Sequence, residues 1–505
     1  MRSSESRTRL ESKWQESPCH HRCPRRVIDM PFKTSHYIAG RFTDDEPSLP
    51  VENPATGQEL TKVADASPEQ AMTALDAAVD AAEEFAATEP RYRAELLRSA
   101  YEAIISRTDE FAETMTLEMG KPLEESRGEV TYGAEFLRWF AEETPRVYGR
   151  WSTAPSGGSR LLTMKQPVGP VLAITPWNFP LAMATRKLGP AIAAGCTSVL
   201  KPAQLTPLTA LLLMDVFDSV GLPAGVVNCF VSSDSAATTG PIIADPRLRK
   251  LTFTGSTAVG VTLLEQAADN VLRTSMELGG NAPFLVLAGA DVDRAVEGAI
   301  VAKMRNIGQA CTAANRFIVH HSHCEEFATK FARRVCELVI GNGMDDGVKI
   351  GPLVSAGALD GVESVVREAI DAGARALVGG SRIDRPGHFM EPTVLVDVDP
   401  ASKVFREEIF GPVAPIVPVG STDEAIALAN DTSYGLMSYA YTDDLDEGLT
   451  VSERLQFGMV GLNTGLVSNP AAPFGGVKAS GLGREGGPEG INEYLEIKYV
   501  GIGMK

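Results

Sequence analysis

Several short segments of this 505-residue chain concentrate residue types that can do chemistry: Thr175-Pro-Trp177-Asn178-Phe-Pro, Lys201-Pro-Ala-Gln204, Phe253-Thr-Gly255-Ser256-Thr, Glu277-Leu278-Gly-Gly-Asn281, Gly308-Gln-Ala-Cys311 and Glu407-Glu408-Ile-Phe410-Gly-Pro. Cysteine is the residue best suited to attack a carbonyl carbon, because its thiolate is strongly nucleophilic and its pKa, about 8.5 when free, is easily lowered. A lone cysteine is more often an inert core thiol, which is the expectation for Cys196, Cys229 and Cys336. Cys311 differs in sitting behind Gly308 and Gln309. Gly255-Ser256 follows a short apolar run and opens a helix, a place where backbone N–H groups and the helix dipole favour a pyrophosphate.

These residues need a scaffold. Ser67-Pro68-Glu69-Gln70 reads as a capping box that opens an Ala-rich helix to about residue 87. Further helices are expected at 91–106, 108–119 and 122–143, with Gly120 as a stop. The pattern then changes to short, continuous apolar runs alternating with helical stretches. Val171 to Ile174, Thr197 to Leu200, Val226 to Val231 and Leu251 to Thr254 read as strands buried on both faces. A helix is expected to begin at Thr206-Pro207. A second alternation runs from about Pro283 to Val460, with strands at Phe284 to Leu287, Phe317 to Val319, Ala414 to Val417 and Ser438 to Tyr441. The expected class is α/β, with two doubly wound sheets whose ligands lie beyond the carboxyl ends of the strands. Gly481-Leu-Gly483-Arg-Glu485-Gly486 matches the dinucleotide pattern G-x-G-x-x-G. Too little chain follows it for a βαβ unit, so it is read as a loop.

Taken in order and spacing, these motifs make residues 35 to 505 resemble the NAD(P)-dependent aldehyde dehydrogenase superfamily. Within it the likeness is to the bacterial succinate-semialdehyde dehydrogenases, including the ending Glu493-Tyr-Leu-Glu-Ile-Lys-Tyr. The resemblance implies an aldehyde dehydrogenase-like fold. Residues 31–145 and 168–279 would form a dinucleotide-binding domain and 280–480 a catalytic domain. Residues 146–167 and 481–505 would supply a small β arm for oligomerisation and a C-terminal segment. It also implies Cys311 as nucleophile, with the Asn178 amide and the Cys311 N–H as oxyanion donors. Glu277 is the implied general base for thioester hydrolysis, and Glu485 a second acid acting as a proton relay.

For the cofactor, the resemblance implies Thr175, Trp177, Lys201, Gln204, Gly255, Ser256, Leu278, Glu408 and Phe410. Lys201 would reach the adenosine ribose, Glu408 would hold the nicotinamide ribose, and Phe410 would pack near the nicotinamide. A carboxylate in place of Gln204 would repel a 2′-phosphate, so neutral Gln favours NADP with some NAD use. Arg186, Arg305 and Ser468 match the family's pocket for a distal carboxylate, and two arginines beside an aldehyde channel fit an anionic substrate. The implied reaction is oxidation of succinic semialdehyde to succinate. The alternatives are glutarate semialdehyde or another ω-carboxy aldehyde and, from another class, a cofactor-independent thiol esterase. Ala313 stands where some relatives carry a second cysteine, so no disulfide switch of that kind is expected.

Composition is consistent with this reading. The chain is 44% hydrophobic and 22% charged, with 47 Lys plus Arg against 65 Asp plus Glu and a net charge of -18. Attraction to nucleic acid or an anionic membrane is therefore not expected, nor is a spanning segment, since no run of about 18 apolar residues occurs. Seven scattered cysteines fit a reducing cytoplasm. The expected partner is a small anionic aldehyde, in a homodimer or homotetramer. Residues 1–30 read as a flexible tail with Met30 as an alternative start. Cys19-His20-His21-Cys23 lacks a second ligand pair, so no metal is expected.

Overall fold

A computed structural model describes residues 32–504; the expectations for the tail and for Cys19-His20-His21-Cys23 lie outside these residues. The capping box forms as read. Ser67 Oγ accepts from Gln70 N at 3.3 Å and Gln70 Oε1 accepts from Ser67 N at 2.8 Å, opening the helix Pro68–Ala86. Helices follow at Pro90–Ser106, Thr108–Met119 and Leu123–Glu143.

The first sheet has eight strands. Its core is five parallel strands in the spatial order Arg273–Glu277, Lys250–Thr254, Val171–Ile174, Ser198–Lys201 and Val227–Cys229. The chain moves outward from Val171–Ile174 to Val227–Cys229 and then returns to the other side of Val171–Ile174. That reversal creates a switch point between Val171–Ile174 and Lys250–Thr254, where a crevice opens at the carboxyl ends. Antiparallel pieces close the two edges, Tyr37–Ile38 with Arg41–Phe42 on one side and Gly481–Leu482 on the other.

The second sheet has seven strands, ordered Arg375–Val378, Thr393–Val396, Val413–Val419, Ala314–His320, Ala282–Val286, Met437–Tyr441 and Met459–Leu462. All its pairings are parallel except the first. A third sheet pairs Ser159–Pro167 with Arg150–Thr153 and with the whole of Leu495–Gly503. It carries Trp151, Ile497 and Tyr499 as exposed apolar side chains.

Several element bounds differ from the sequence expectation, and three strands of the second sheet, Arg375–Val378, Thr393–Val396 and Met459–Leu462, are absent from it; two of the differences have a visible partner. The strand expected to reach Val231 stops at Cys229, and Val231 N donates instead to His36 Nδ1 at 3.3 Å. The helix expected at Thr206-Pro207 begins at Leu208, because the buried Glu118 carboxylate accepts from Leu208 N and Thr209 N. That cap comes from a distant helix, which no local pattern announces. The helix Ala182–Ala194 is buried on every side, so its polar residues Arg186 and Lys187 must find partners inside the protein. Among the described residues no helix is long and apolar enough to cross a membrane.

Candidate active site

A cavity of about 300 Å³ sits at the switch point. Val171–Ile174 delivers Trp177 and Asn178 to it, Lys250–Thr254 delivers Gly255 and Ser256, and Arg273–Glu277 delivers Glu277 and Leu278. Cys311, Glu408 and Phe410 close it from the second sheet's side. Cys311, Glu277 and Asn178, distant in sequence, thus line one space. The segment before the thiol is unusual: Asn306, Ile307 and Gly308 all adopt left-handed backbone, at φ of 55°, 61° and 71°. A β-branched residue in that region is strained, and strain of this kind clusters at functional sites.

The Asn178 side chain is fixed by donation from Nδ2 to the Gln309 carbonyl at 3.0 Å. Its amide carries a second N–H, which is the one available to an oxyanion. Glu277 is 3% exposed, and neither carboxylate oxygen has a hydrogen-bond partner. Burial raises its pKa well above the carboxylate range; the nearby Glu485 charge adds to the rise, against the charges of Arg186 and Lys187. Glu277 and Cys311 line the same cavity, and a buried carboxylate without partners there is a candidate functional group. Burial likewise pushes the Cys311 thiol up to about 12, with Arg186 acting in the opposite sense.

Glu485 is held between two cations. Its two oxygens lie 2.5 Å from Arg186 Nε and 2.5 Å from Lys187 Nζ, all three residues being buried. Burial raises its pKa, but those two cations outweigh burial and hold it below its usual value. A carboxylate so pinned is a standing anion. Its charge contributes to the raised pKa of Glu277.

Arg186 is thereby committed as well. It is 1% exposed, bound to Glu485, with its guanidinium 4.1 Å from the Phe474 ring centre. It does not belong to the lining of the second cavity, of about 240 Å³, where Arg305 and Ser468 do meet, together with Lys121, Tyr132 and Phe179. Asn178 lines the first cavity and Phe179 the second, so the two spaces flank one turn. Arg305 and Ser468 thus share one cavity, while Arg186, paired with Glu485, lies next to Tyr132 of that cavity's lining. Arg305 packs 5.2 Å from the Phe179 ring centre.

The chain's residues also fit a dinucleotide. Trp177, Gly255, Ser256, Leu278, Glu408 and Phe410 all line the first cavity. Ser256 caps the helix Thr257–Ala268, whose N-terminus opens at the crevice. Trp177 and Phe410 meet edge to face at 5.5 Å. Glu408 Oε1 accepts from Gly280 N at 2.9 Å, and burial raises its pKa to about 7. Lys201 is buried, its Nζ donating to Ser235 Oγ at 2.6 Å, and burial lowers its pKa to about 8. A buried cation with only a neutral hydrogen-bond partner suits an anionic or polyhydroxyl ligand. Thr175, whose N–H donates to the Lys201 carbonyl at 3.1 Å, and the exposed Gln204 lie outside the cavity lining.

Sequence reasoning missed Lys187, Tyr132 and the group Lys121, Glu125 and Asn306. Only Asn306 stands beside a quoted motif, two residues before Gly308, and the contacts of all five form when remote segments meet.

Comparison with known proteins agrees with this geometry. The model of the aldehyde dehydrogenase family matches residues 42–500. A succinate-semialdehyde dehydrogenase of Paenarthrobacter nicotinovorans is 56% identical over 88% of this chain and 98% of the relative. A glutarate-semialdehyde dehydrogenase of Pseudomonas putida is 46% identical over 94% of this chain and 98% of the relative. A crystal structure described as an Escherichia coli NADP-dependent enzyme superposes with a TM-score of 0.92 at 46% identity, covering 94% of this chain and 98% of that one. Fold and site define an NAD(P)-dependent oxidoreductase built on two α/β sheets. The chain belongs to the aldehyde dehydrogenase family.

Proposed function

We propose that this protein oxidises succinic semialdehyde to succinate with NAD(P)+, NADP being preferred. The observation that carries the reading is the placing of Arg305 and Ser468 in a cavity that shares the Asn178-Phe179 turn with the cavity holding Cys311 and Glu277. An aldehyde in contact with the thiol could thus present an anionic tail to the guanidinium. The relatives named for succinate and glutarate semialdehydes support an ω-carboxy aldehyde, and the second of these substrates is the alternative reading. The NADP-dependent structural relative and the uncharged Gln204 support the cofactor preference.

In this reading the Cys311 thiol gives its proton to solvent and adds as the thiolate to the carbonyl carbon. The resulting oxyanion is met by the Asn178 amide and the Cys311 N–H. Glu408 would hold the nicotinamide ribose, Trp177 and Phe410 would flank the ring, and Gly255-Ser256 would receive the pyrophosphate. When bound, the nicotinamide supplies the acceptor for the hydride. Loss of hydride from the tetrahedral carbon leaves a thioester on Cys311. Glu277 then takes a proton from water as its oxygen attacks the thioester carbon, and the carbon–sulfur bond breaks to give the carboxylic acid and the thiolate. Glu485, ionised between Arg186 and Lys187, keeps Glu277 basic enough to take the proton of that water. The cycle needs a free thiol, which fits a reducing cytoplasm.

Arg305→Met tests the carboxylate contact. A hydrogen bond to a charged group contributes about 1.5–3 kcal/mol, so kcat/KM for succinic semialdehyde should fall roughly 10- to 150-fold. The value for butanal should change less than about threefold. Equal losses on both aldehydes would contradict the pocket. The exposed Trp151, Ile497 and Tyr499 of the three-stranded sheet support assembly into a homodimer or homotetramer through this arm. A monomer mass by light scattering would contradict that.

A further inference from the structure

We propose that Asn306, held in place by Glu125, is a positioning residue that sets the spacing of the two oxyanion donors. The proposal rests on the Cys311 site described above but not on which aldehyde that site accepts.

Three separate segments are tied together at one point. Asn306 Nδ2 donates to the Asn178 carbonyl at 3.1 Å and to the Gln309 carbonyl at 2.8 Å. The Asn178 amide donates to that same Gln309 carbonyl at 3.0 Å. Lys121 Nζ donates to the Asn178 carbonyl at 2.8 Å and is itself bound to Glu129. Asn178 is therefore gripped at both ends, its backbone by Lys121 and Asn306 and its side chain by a carbonyl two residues before Cys311.

Asn306 can do this only in the left-handed conformation it adopts, which asparagine tolerates better than most residues. Its backbone N–H donates to Glu125 Oε2 at 2.7 Å, anchoring the strained turn to the helix Leu123–Glu143. Asn306 and Gln309 are fully buried. Asn306 is not among the residues lining either cavity, so it acts through Asn178 and Cys311. Oxyanion donors are effective only when preorganised to a fraction of an ångström, and a shared carbonyl acceptor between the two donor segments fixes their separation.

The test replaces Asn306 by Gly, which keeps the backbone conformation and removes the side chain, beside Glu125→Ala and Glu125→Gln. Hydrolysis of p-nitrophenyl acetate and aldehyde oxidation are both measured, since each passes through an oxyanion at Cys311 and the ester assay is independent of aldehyde identity. N306G and E125A should lower kcat in both assays by about 10- to 100-fold. For N306G, KM for the aldehyde and Kd for NADP should stay within about twofold; Glu125 also lines the second cavity, so its variants are read on kcat for the ester, which brings no anionic tail into that cavity. E125Q, which keeps an acceptor oxygen, should recover to within about threefold of wild type. Unchanged kcat in N306G and E125A would overturn the proposal. So would losses that merely follow a fall in Tm and in NADP affinity, or an E125Q variant as impaired as E125A. Ester hydrolysis falling as expected while the wild type ignores succinic semialdehyde would leave this inference standing and remove the substrate reading.

Discussion

Cys311→Ala is expected to abolish oxidation, lowering kcat by at least about ten-thousandfold, while Tm and NADP binding stay close to wild type. The magnitude follows from the type of step: without a nucleophile there is no tetrahedral carbon from which hydride can leave. Folding should survive because the side chain is small and only partly buried. The wild-type thiol gives a companion result. Burial lifts its pKa to about 12, so alkylation by iodoacetamide in the free enzyme should rise about tenfold per pH unit from pH 7 to 9, without levelling. The sign is fixed because the thiolate is the reactive form and its fraction grows with pH until the pKa is passed. Residual oxidation in C311A above about one thousandth of wild type would assign the nucleophile elsewhere.

Glu277→Gln is expected to separate the two halves of the reaction. Gln is nearly isosteric and leaves the cavity's shape intact, but it cannot accept a proton from water. Steady-state turnover should fall about 100- to 10,000-fold. Because solvent takes the thiol proton in this account, one equivalent of reduced nicotinamide should still appear as a burst. Intact mass should then show an acyl group on the protein, retained on a peptide containing Cys311. Loss of the burst together with turnover would place Glu277 in thiol activation as well, the role its unpaired oxygens and raised pKa also allow. Turnover within tenfold of wild type would remove Glu277 from the chemistry.

How far the site was legible in the sequence depended on whether the signal was local. Cys311, Glu277, Asn178 and Glu408 each sit in a short motif at a strand end, and they meet in one cavity. Helices with their own caps, such as Pro68–Ala86, were equally readable. Partners that come from elsewhere were not. The start of the helix at Leu208 is set by Glu118, some ninety residues earlier. Arg186 and Arg305 look alike in sequence, yet one is neutralised by Glu485 in the interior and the other lines a cavity. The partner that Arg186 finds is decided by where Gly481–Leu482 lands. That short strand pairs with Met276 and Glu277 and brings Glu485 in behind them. Rejecting Gly481-Leu-Gly483-Arg-Glu485-Gly486 as a dinucleotide fingerprint followed from its position near the chain end. Its actual work, fixing an anion beside Glu277, is a tertiary fact.

The central claim is oxidation of an anionic aldehyde through Cys311. Its most direct test is the initial rate of reduced-nicotinamide formation by the wild-type protein with succinic semialdehyde, glutarate semialdehyde and butanal, each with NADP and with NAD. The account predicts kcat/KM at least about tenfold higher for succinic semialdehyde than for butanal, with NADP the better cofactor. Equal values for butanal and succinic semialdehyde would contradict the role given to Arg305 and Ser468.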